Sequence, residues 1–218
     1  MYANRIAIGT VQFGLPYGVA NSSLKEVSNS EISDILNYAQ SLEIDTIDTA
    51  ISYGKSEKKL GEYGLKNYKV ITKLPAIPVQ CPNILTWAEG QLIDSLSRLR
   101  LPKVYSLLLH NPKDLLGPEG NELWAALKIL KQKNLVDKIG YSIYRPEELD
   151  AIFDLFSPDI VQAPYNIFDR RLSLSGWLDK LFNAKTEIHI RSVFLPVSYT
   201  HLRAHETVLD LVCRLLLE

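Results

Sequence analysis

Short apolar runs that alternate with amphipathic helical stretches are the feature that most constrains how this chain can fold. The alternation continues along most of the sequence, and no linker or low-complexity stretch interrupts it. Strands separated by helices predict a parallel α/β sheet in one domain. The first helical stretch shows the pattern well, because Ser28 and Glu31 have the spacing of a capping box.

The segments can be assigned in order. The predicted strands are 5–10, 45–48, 69–73, 104–110, 138–142, 159–162 and 187–193. The predicted helices are 28–42, 56–63, 83–99, 122–133, 146–156 and 169–182. A (β/α)8 barrel needs eight strands. The predicted fold class is therefore α/β, an incomplete (β/α)8 TIM barrel that lacks its eighth strand and its C-terminal helices.

The end of the chain reads differently from the rest. Residues 197–207, VSYTHLRAHET, look like a translated transposase-type sequencing adapter, and residues 211–218, LVCRLLLE, look like the primer region that follows it. Such scars are excluded from fold reasoning. We therefore expect residues 1–195 to be the partial barrel and 196–218 to be a non-native tail. The alternative is an ordinary amphipathic C-terminal helix.

Composition excludes several classes of function. The sequence has 24 basic and 25 acidic residues. Two of the basic and three of the acidic residues lie in the tail, so the rest of the chain has 22 of each and a net charge of zero. This balance gives no reason to expect nucleic acid or a membrane surface as a partner. Cys81 is the only cysteine outside the tail and cannot form an internal disulfide. With no signal-peptide pattern or membrane-spanning run, we expect a cytoplasmic location.

Four polar residues stand at or just after the ends of consecutive apolar runs. Asp48 ends one run and Tyr53 follows after a short turn, while Lys73 and His110 end the next two. The carboxyl ends of barrel strands meet at one rim, where the active sites of such barrels lie. The order of these residues therefore predicts that they share one site.

These residue types suit the protonation of a carbonyl that receives a hydride. A phenol is a poor acid at neutral pH, since its reference pKa is about 10, but a nearby ammonium favours the phenolate. Lys73 can supply that ammonium to Tyr53, and Asp48 can hold it. His110 can hydrogen-bond the carbonyl oxygen. No side chain delivers a hydride, so the chemistry requires a nicotinamide cofactor.

Each residue also has an ordinary structural interpretation. Asp48 could cap a turn, Tyr53 could be a packing aromatic, Lys73 a surface lysine, and His110 a core histidine. The set as a whole at successive strand ends favours a site. The sequence has no G-x-G-x-x-G after a strand, no phosphate-binding P-loop and no zinc pattern.

The sequence resembles the aldo-keto reductases over essentially all of residues 1–195. The matching segments are 8–10 (IGT), 12–14 (QFG), 46–50 (TIDTA), 53–54 (YG), 71–73 (ITK), 107–110 (LLLH), 139–142 (IGYS) and 161–162 (VQ). The resemblance implies a TIM barrel with NADPH extended across its rim. It implies that Asp48, Tyr53, Lys73 and His110 are the catalytic set, with Tyr53 as the general acid.

Cofactor residues follow from the same resemblance. Ser142 and Gln162 match positions that hold the nicotinamide carboxamide, although Ile143 stands where many members have Asn. Arg191, followed by Ser192, stands where an aromatic usually stacks on the nicotinamide. It could stack by its guanidinium, meet a phosphate, or be a rim residue without a ligand.

Gly9 and Thr10 match residues near the cofactor at the first strand. The segment that binds the adenosine phosphates in the family has no counterpart here, so a preference for NADP over NAD rests on the resemblance alone.

The resemblance implies an NADPH-dependent oxidoreductase that reduces a small aldehyde or ketone to an alcohol. The loops at 15–17 and 112–114 suggest a polar, sugar-derived substrate. One alternative is a nicotinamide-binding regulatory subunit of the same fold with little turnover. Another is that the chain as written is a fragment without function, because its barrel is open.

Overall fold

Seven parallel strands curl into a barrel in the computed structural model of this chain. The structure describes residues 5–16 and 27–193, and the backbone alone of residues 210–215. The parallel strands are β1 (Ile6–Gly9), β2 (Thr46–Asp48), β3 (Lys69–Leu74), β4 (Val104–Leu109), β5 (Val136–Ser142), β6 (Ile160–Pro164) and β7 (Glu187–Arg191). Each pairs with the next in chain order. The predicted parallel α/β fold is confirmed.

Helices connect the strands and cover the outside of the barrel. They are α1 (Val11–Gly14), α2 (Asn29–Ser41), α3 (Ser56–Tyr63), α4 (Ile84–Leu99), α5 (Gly120–Gln132), α6 (Glu147–Ile152), α7 (Arg171–Leu174) and α8 (Trp177–Asn183), with a 3-10 helix at Pro112–Leu116. Aliphatic and aromatic side chains between the strands and these helices form one large core, to which Leu92, Leu127 and Val161 contribute with no exposed surface. No helix among the described residues is both long and apolar enough to cross a bilayer.

Local sequence signals located most elements correctly. The helix predicted at 56–63 is α3, and Ser28 and Glu31 form both bonds of the predicted capping box. The single helix predicted at 169–182 is wrong, because Gly176 has a φ of 78° and separates α7 from α8. The helix predicted at 146–156 is shorter, and α1 and the 3-10 helix were not predicted.

A strand from the tail closes the barrel. This strand, β8 (Asp210–Leu215), lies between β7 and β1 and runs antiparallel to both. The alternative considered for the tail, an amphipathic C-terminal helix, is not what these residues form. A parallel sheet of seven strands leaves unpaired backbone groups on its two edge strands, and a β-forming segment of either direction can satisfy them. In a (β/α)8 barrel all eight strands are parallel, so the eighth parallel strand is lacking among the described residues. The predicted boundary after Leu195 lies outside the described residues.

The parallel order brings the polar strand ends to one rim. β2 ends at Asp48 and β5 ends at Ser142, while His110 directly follows β4. Lys73 and Gln162 lie within the last residues of β3 and β6. Residues that are distant in sequence therefore share the carboxyl end of the barrel.

Candidate active site

A buried ion pair lies at the centre of the carboxyl rim. The Lys73 Nζ atom donates to both carboxylate oxygens of Asp48, at 2.8 and 2.7 Å, and to the carbonyl oxygen of Thr49 at 2.8 Å. The residues Lys73 and Asp48 are only 1% and 4% exposed. Buried charges need both a partner and hydrogen bonds. Here the lysine has all three of its donors engaged, so its position is well fixed.

Tyr53 and His110 complete the group that the sequence predicted. Lys73 Nζ lies 5.2 Å from the centroid of the Tyr53 ring. The rings of Tyr53 and His110 meet edge to face, with centroids 5.9 Å apart and planes at 76°. Both side chains are half-buried, so each keeps a surface open to solvent or to a bound molecule. The structure brings all four predicted residues together.

The turn that carries Tyr53 is held by close backbone contacts. The Tyr53 amide donates to Ala50 and its carbonyl accepts from the Ser56 amide, both at 3.0 Å. A Cβ atom added at Gly14 would lie 1.9 Å from the Tyr53 carbonyl oxygen. Only glycine permits this approach of α1 to the turn. The QFG segment, residues 12–14, thus packs against the backbone of the turn and helps to fix the position of Tyr53.

A buried carboxylate network lies on the outer side of the same strands, and we define it as Glu57, Thr72, Ser95 and Arg98. Glu57 accepts from Thr72 Oγ1 at 2.7 Å, from Ser95 Oγ at 2.6 Å and from Arg98 Nε at 2.8 Å. Glu57 is 1% exposed. Glu57 lies on α3, the helix that begins just after Tyr53, and Thr72 lies on β3, directly before Lys73. The network therefore joins the helix after the tyrosine to the strand that carries the lysine.

His110 is in an environment that disfavours its charged form. Burial and the nearby Lys73 ammonium, only partly opposed by Asp48, lower the pKa of His110 to about 4. The side-chain oxygen of Ser52 lies 3.1 Å from His110 Nδ1. Sequence reasoning missed Ser52, although its position directly before Tyr53 on the same turn was a signal. His110 is a neutral imidazole that can donate one N–H to a bound oxygen.

The two residues predicted to hold a carboxamide are bonded to each other and to the ion pair. Ser142 Oγ donates to Gln162 Oε1 at 3.1 Å, and Gln162 Nε2 donates to Asp48 Oδ1 at 2.8 Å. All three residues are buried. Ile143, next to Ser142, is fully buried in the core, so it offers no polar group at the position where many aldo-keto reductases have Asn.

Arg191 lies at the rim beside an aromatic side chain. Its guanidinium carbon is 4.4 Å from the centroid of the Tyr144 ring, and its Nη2 atom donates to the Ile143 carbonyl at 3.0 Å. Stacking on a ring orients the planar guanidinium. Ser192 has a φ of 60°, and its carbonyl accepts from Asn166 Nδ2 at 3.1 Å. Tyr144 was also missed by sequence reasoning.

Gly9 and Thr10, at the end of β1, contact Asp48 at the end of β2. Gly9 is in register with Asp48, and the Thr10 amide and hydroxyl both donate to the Asp48 carbonyl at 3.0 Å. The hydroxyl of Ser56 also donates to Thr10 Oγ1 at 2.9 Å. In this geometry the Thr10 side chain supports the end of β2.

An open groove that begins at Asn111, the residue after His110, lies between the loop after β4 and α6. It encloses about 730 Å³ and is lined by residues that include Asn111, Lys113, Tyr144 and Arg145. Asp114, one of the loop residues that suggested a polar substrate, instead accepts from the Ile77 amide and from the Asn111 side chain. Tyr17, from the other loop, lies outside the described residues.

Comparisons with known proteins show which proteins this chain is similar to. A family model described as "Aldo/keto reductase family" matches residues 5–202. The chain is similar to the structure of a candidate aldo-keto reductase from Pseudomonas aeruginosa, with 26% identity and a TM-score of 0.69 over 84% of this chain and 70% of that one.

Two further structures share the fold. One is the holo form of an aldo-keto reductase from Bacillus halodurans, with 20% identity and a TM-score of 0.69 over 96% of this chain and 69% of that one. The other is a glycerol dehydrogenase from Gluconobacter oxydans, with 23% identity and a TM-score of 0.66 over 84% and 58%. A search of curated proteins found no significant match.

Proposed function

The chain belongs to the aldo/keto reductase family of oxidoreductases, and we propose that it reduces an aldehyde or ketone to an alcohol with NADPH. One observation carries the proposal. The ammonium of Lys73, fixed by Asp48 and by Thr49, lies beside the ring of Tyr53, and that ring is in edge-to-face contact with His110. This arrangement can bind a carbonyl oxygen and give it a proton.

The roles of the four residues follow from their charges and partners. Tyr53 is the general acid, because its phenol can donate a proton to the oxygen of the substrate. Lys73 stabilises the phenolate that remains, and Asp48 keeps the ammonium in place. His110, as a neutral imidazole, donates a hydrogen bond to the same oxygen and stabilises the charge that develops there.

The residues at the rim fit the nicotinamide end of a cofactor, which would supply the hydride. Ser142 and Gln162 form a polar pair able to receive a carboxamide, next to the ion pair. The guanidinium of Arg191 presents a planar group held against Tyr144, with Ser192 after it. Gly9 and Thr10, at the end of β1, would border the proposed nicotinamide site on the side of the first strand. The preference for NADPH over NADH rests on the family alone.

The substrate is a small carbonyl compound. The open groove between the loop after β4 and α6 has Lys113 and Arg145 among its lining residues, together with apolar side chains, which suits a hydroxylated molecule such as a sugar derivative.

We also propose that residues 196–218 do not belong to the natural barrel. The direction of β8 supports this, since it runs against both of its neighbours in a fold whose strands are otherwise parallel. The natural continuation would be an eighth parallel strand with its helices.

The test is Tyr53→Phe, made in a chain whose barrel is completed from a clean genomic reading frame, with the 218-residue chain assayed beside it. The phenol is the proposed proton donor, so carbonyl reduction should fall by at least roughly 10²–10⁴-fold. Binding of NADPH, followed by its fluorescence, should change little. The matched control is Tyr63→Phe, which removes a hydroxyl bonded to Asn37 on the outer helices.

Two outcomes would contradict the proposal. A Tyr53→Phe variant that keeps most of its kcat would show that Tyr53 is not the acid. A wild-type chain that binds NADPH but turns over no carbonyl compound would support the regulatory-subunit alternative instead.

A further inference from the structure

The contact between Ser52 and His110 is the side-chain hydrogen bond that the imidazole makes within the part of the chain that the structure describes. The Ser52 hydroxyl lies 3.1 Å from Nδ1, and the backbone amide of His110 is bound separately to the Leu74 carbonyl at 3.0 Å. The rings of His110 and Tyr53 also meet edge to face. Ser52 therefore contacts one nitrogen of the imidazole and leaves Nε2 for a bound molecule.

The chemistry of the partner on Nδ1 decides which nitrogen carries the proton. A neutral imidazole has one N–H donor and one acceptor, and the hydrogen bond at one nitrogen sets the tautomer at the other. A carbonyl or carboxylate at Nδ1 can only accept, which would place the proton on Nδ1. A hydroxyl can donate or accept, and when it donates to Nδ1 the proton of the neutral ring stays on Nε2.

We propose that Ser52 is a positioning residue that donates its hydroxyl hydrogen to Nδ1 of His110 and thereby holds the Nε2–H tautomer. Nε2 is then the donor that faces the carbonyl oxygen of the substrate. The depressed pKa of His110 agrees with this, because a doubly protonated ring would have no acceptor for Ser52. The effect on carbonyl reduction rests on the proposed function, but the tautomer itself does not.

The experiment compares wild type with Ser52→Ala and Ser52→Thr by long-range ¹H–¹⁵N NMR of the imidazole nitrogens. The His110 signals are assigned by their loss in His110→Gln. Ser52 is exposed at the rim turn, so neither substitution removes packing from the core. Ser41→Ala is the control, because this exposed serine also donates one hydrogen bond, on α2.

We expect wild type and Ser52→Thr to show an unprotonated Nδ1 and a protonated Nε2. Ser52→Ala should show a mixture of tautomers. Its kcat for carbonyl reduction should fall about 2- to 10-fold with little change in NADPH affinity, as expected for one neutral hydrogen bond. Threonine should restore most of the rate.

A protonated Nδ1 in wild type would overturn the proposal, since the hydroxyl would then be the acceptor. Unchanged nitrogen signals in Ser52→Ala would overturn it as well. The expected tautomers in a protein without carbonyl-reducing activity would support the proposal for Ser52 and count against the proposed function alone.

Discussion

Gln162 and Asp48 are joined by a hydrogen bond of 2.8 Å that spans 114 positions of the sequence. The same glutamine accepts a hydrogen bond from Ser142 on the other side of its amide. One side chain thus connects the carboxylate of the ion pair with the polar pair proposed to receive the nicotinamide. A change at Gln162 should therefore affect both carbonyl reduction, through Asp48, and the binding of the cofactor, through Ser142.

We expect Gln162→Leu to lower kcat/KM for carbonyl reduction about 10- to 100-fold, because a hydrogen bond to a charged group contributes roughly 1.5–3 kcal/mol. The affinity for NADPH, measured by fluorescence titration, should fall as well. Ser142→Ala is the matched control, because it leaves the Asp48 contact in place. It should weaken cofactor binding and leave kcat nearly unchanged. Equal losses of kcat in the two variants would contradict the proposed link.

His110 should remain neutral far into the acidic range. Burial and Lys73 lower its pKa to about 4, with a further contribution from Arg191, and Asp48 opposes them only in part. The ordinary value is 6.5, so the unfolded chain takes up a proton that the folded protein excludes. The free energy of unfolding should therefore fall as the pH drops from about 6.5 towards 4, and this contribution should be fully present above 6.5.

Two measurements check this behaviour. An NMR titration of the imidazole should give a midpoint near 4, and urea unfolding across the same range should show the slope. His110→Gln should reduce that slope. A midpoint at the ordinary value would show that the site does not exclude the charged ring.

Gly14→Ala should destabilise the protein by about 1–3 kcal/mol, the range for overpacked sites. The added methyl group would lie 1.9 Å from the Tyr53 carbonyl oxygen, so either α1 or the tyrosine turn must move. Carbonyl reduction should fall with stability, because Tyr53 moves with its turn. Urea unfolding and steady-state kinetics measure the two effects.

Gly90→Ala is the matched control in α4. A Cβ atom at this exposed position meets nothing within 4 Å. Alanine should stabilise the helix by about 0.5–1 kcal/mol relative to glycine, and activity should not change. Two variants with the same effect on stability would show that the close contact at Gly14 has no consequence.

The sequence predicted the parts of the molecule that depend on local pattern. Asp48, Lys73 and His110 stand at strand ends that periodicity alone locates, so their shared rim followed from the parallel order. Ser52 and Tyr144 could not be found this way. Their importance comes from contacts with His110 and Arg191 across loops, and loop conformation depends on long-range packing.

The same reasoning explains the errors in secondary structure. Gly176 weakened the helical pattern without showing that its φ would be positive, so one helix was predicted where two exist. Local pattern could not predict the direction of β8 either, because the backbone groups that pair with it belong to β1 and β7, the first and last strands of the parallel sheet.

We expect the 218-residue chain to unfold less cooperatively, and to bind NADPH more weakly, than a chain in which the genomic reading frame continues past Leu195. Hydrophobic residues of about the right size can fill a gap without specifying a unique structure. Thermal unfolding and NADPH fluorescence titration of the two chains provide the comparison. Equal cooperativity and equal affinity would show that the natural continuation is dispensable, and a genomic read that encodes residues 197–218 would refute the foreign origin of the tail.

The buried carboxylate network of Glu57, Thr72, Ser95 and Arg98 has a consequence for engineering. It fixes the spacing between Tyr53 and Lys73 from outside the barrel, without using any atom of the loops above the rim. We therefore expect that those loops can be exchanged to accept other carbonyl compounds while Tyr53, the proposed proton donor, and Lys73 keep their separation. A library directed at new substrates would vary the loop after β4 and the start of α6, and would leave these four outer residues unchanged.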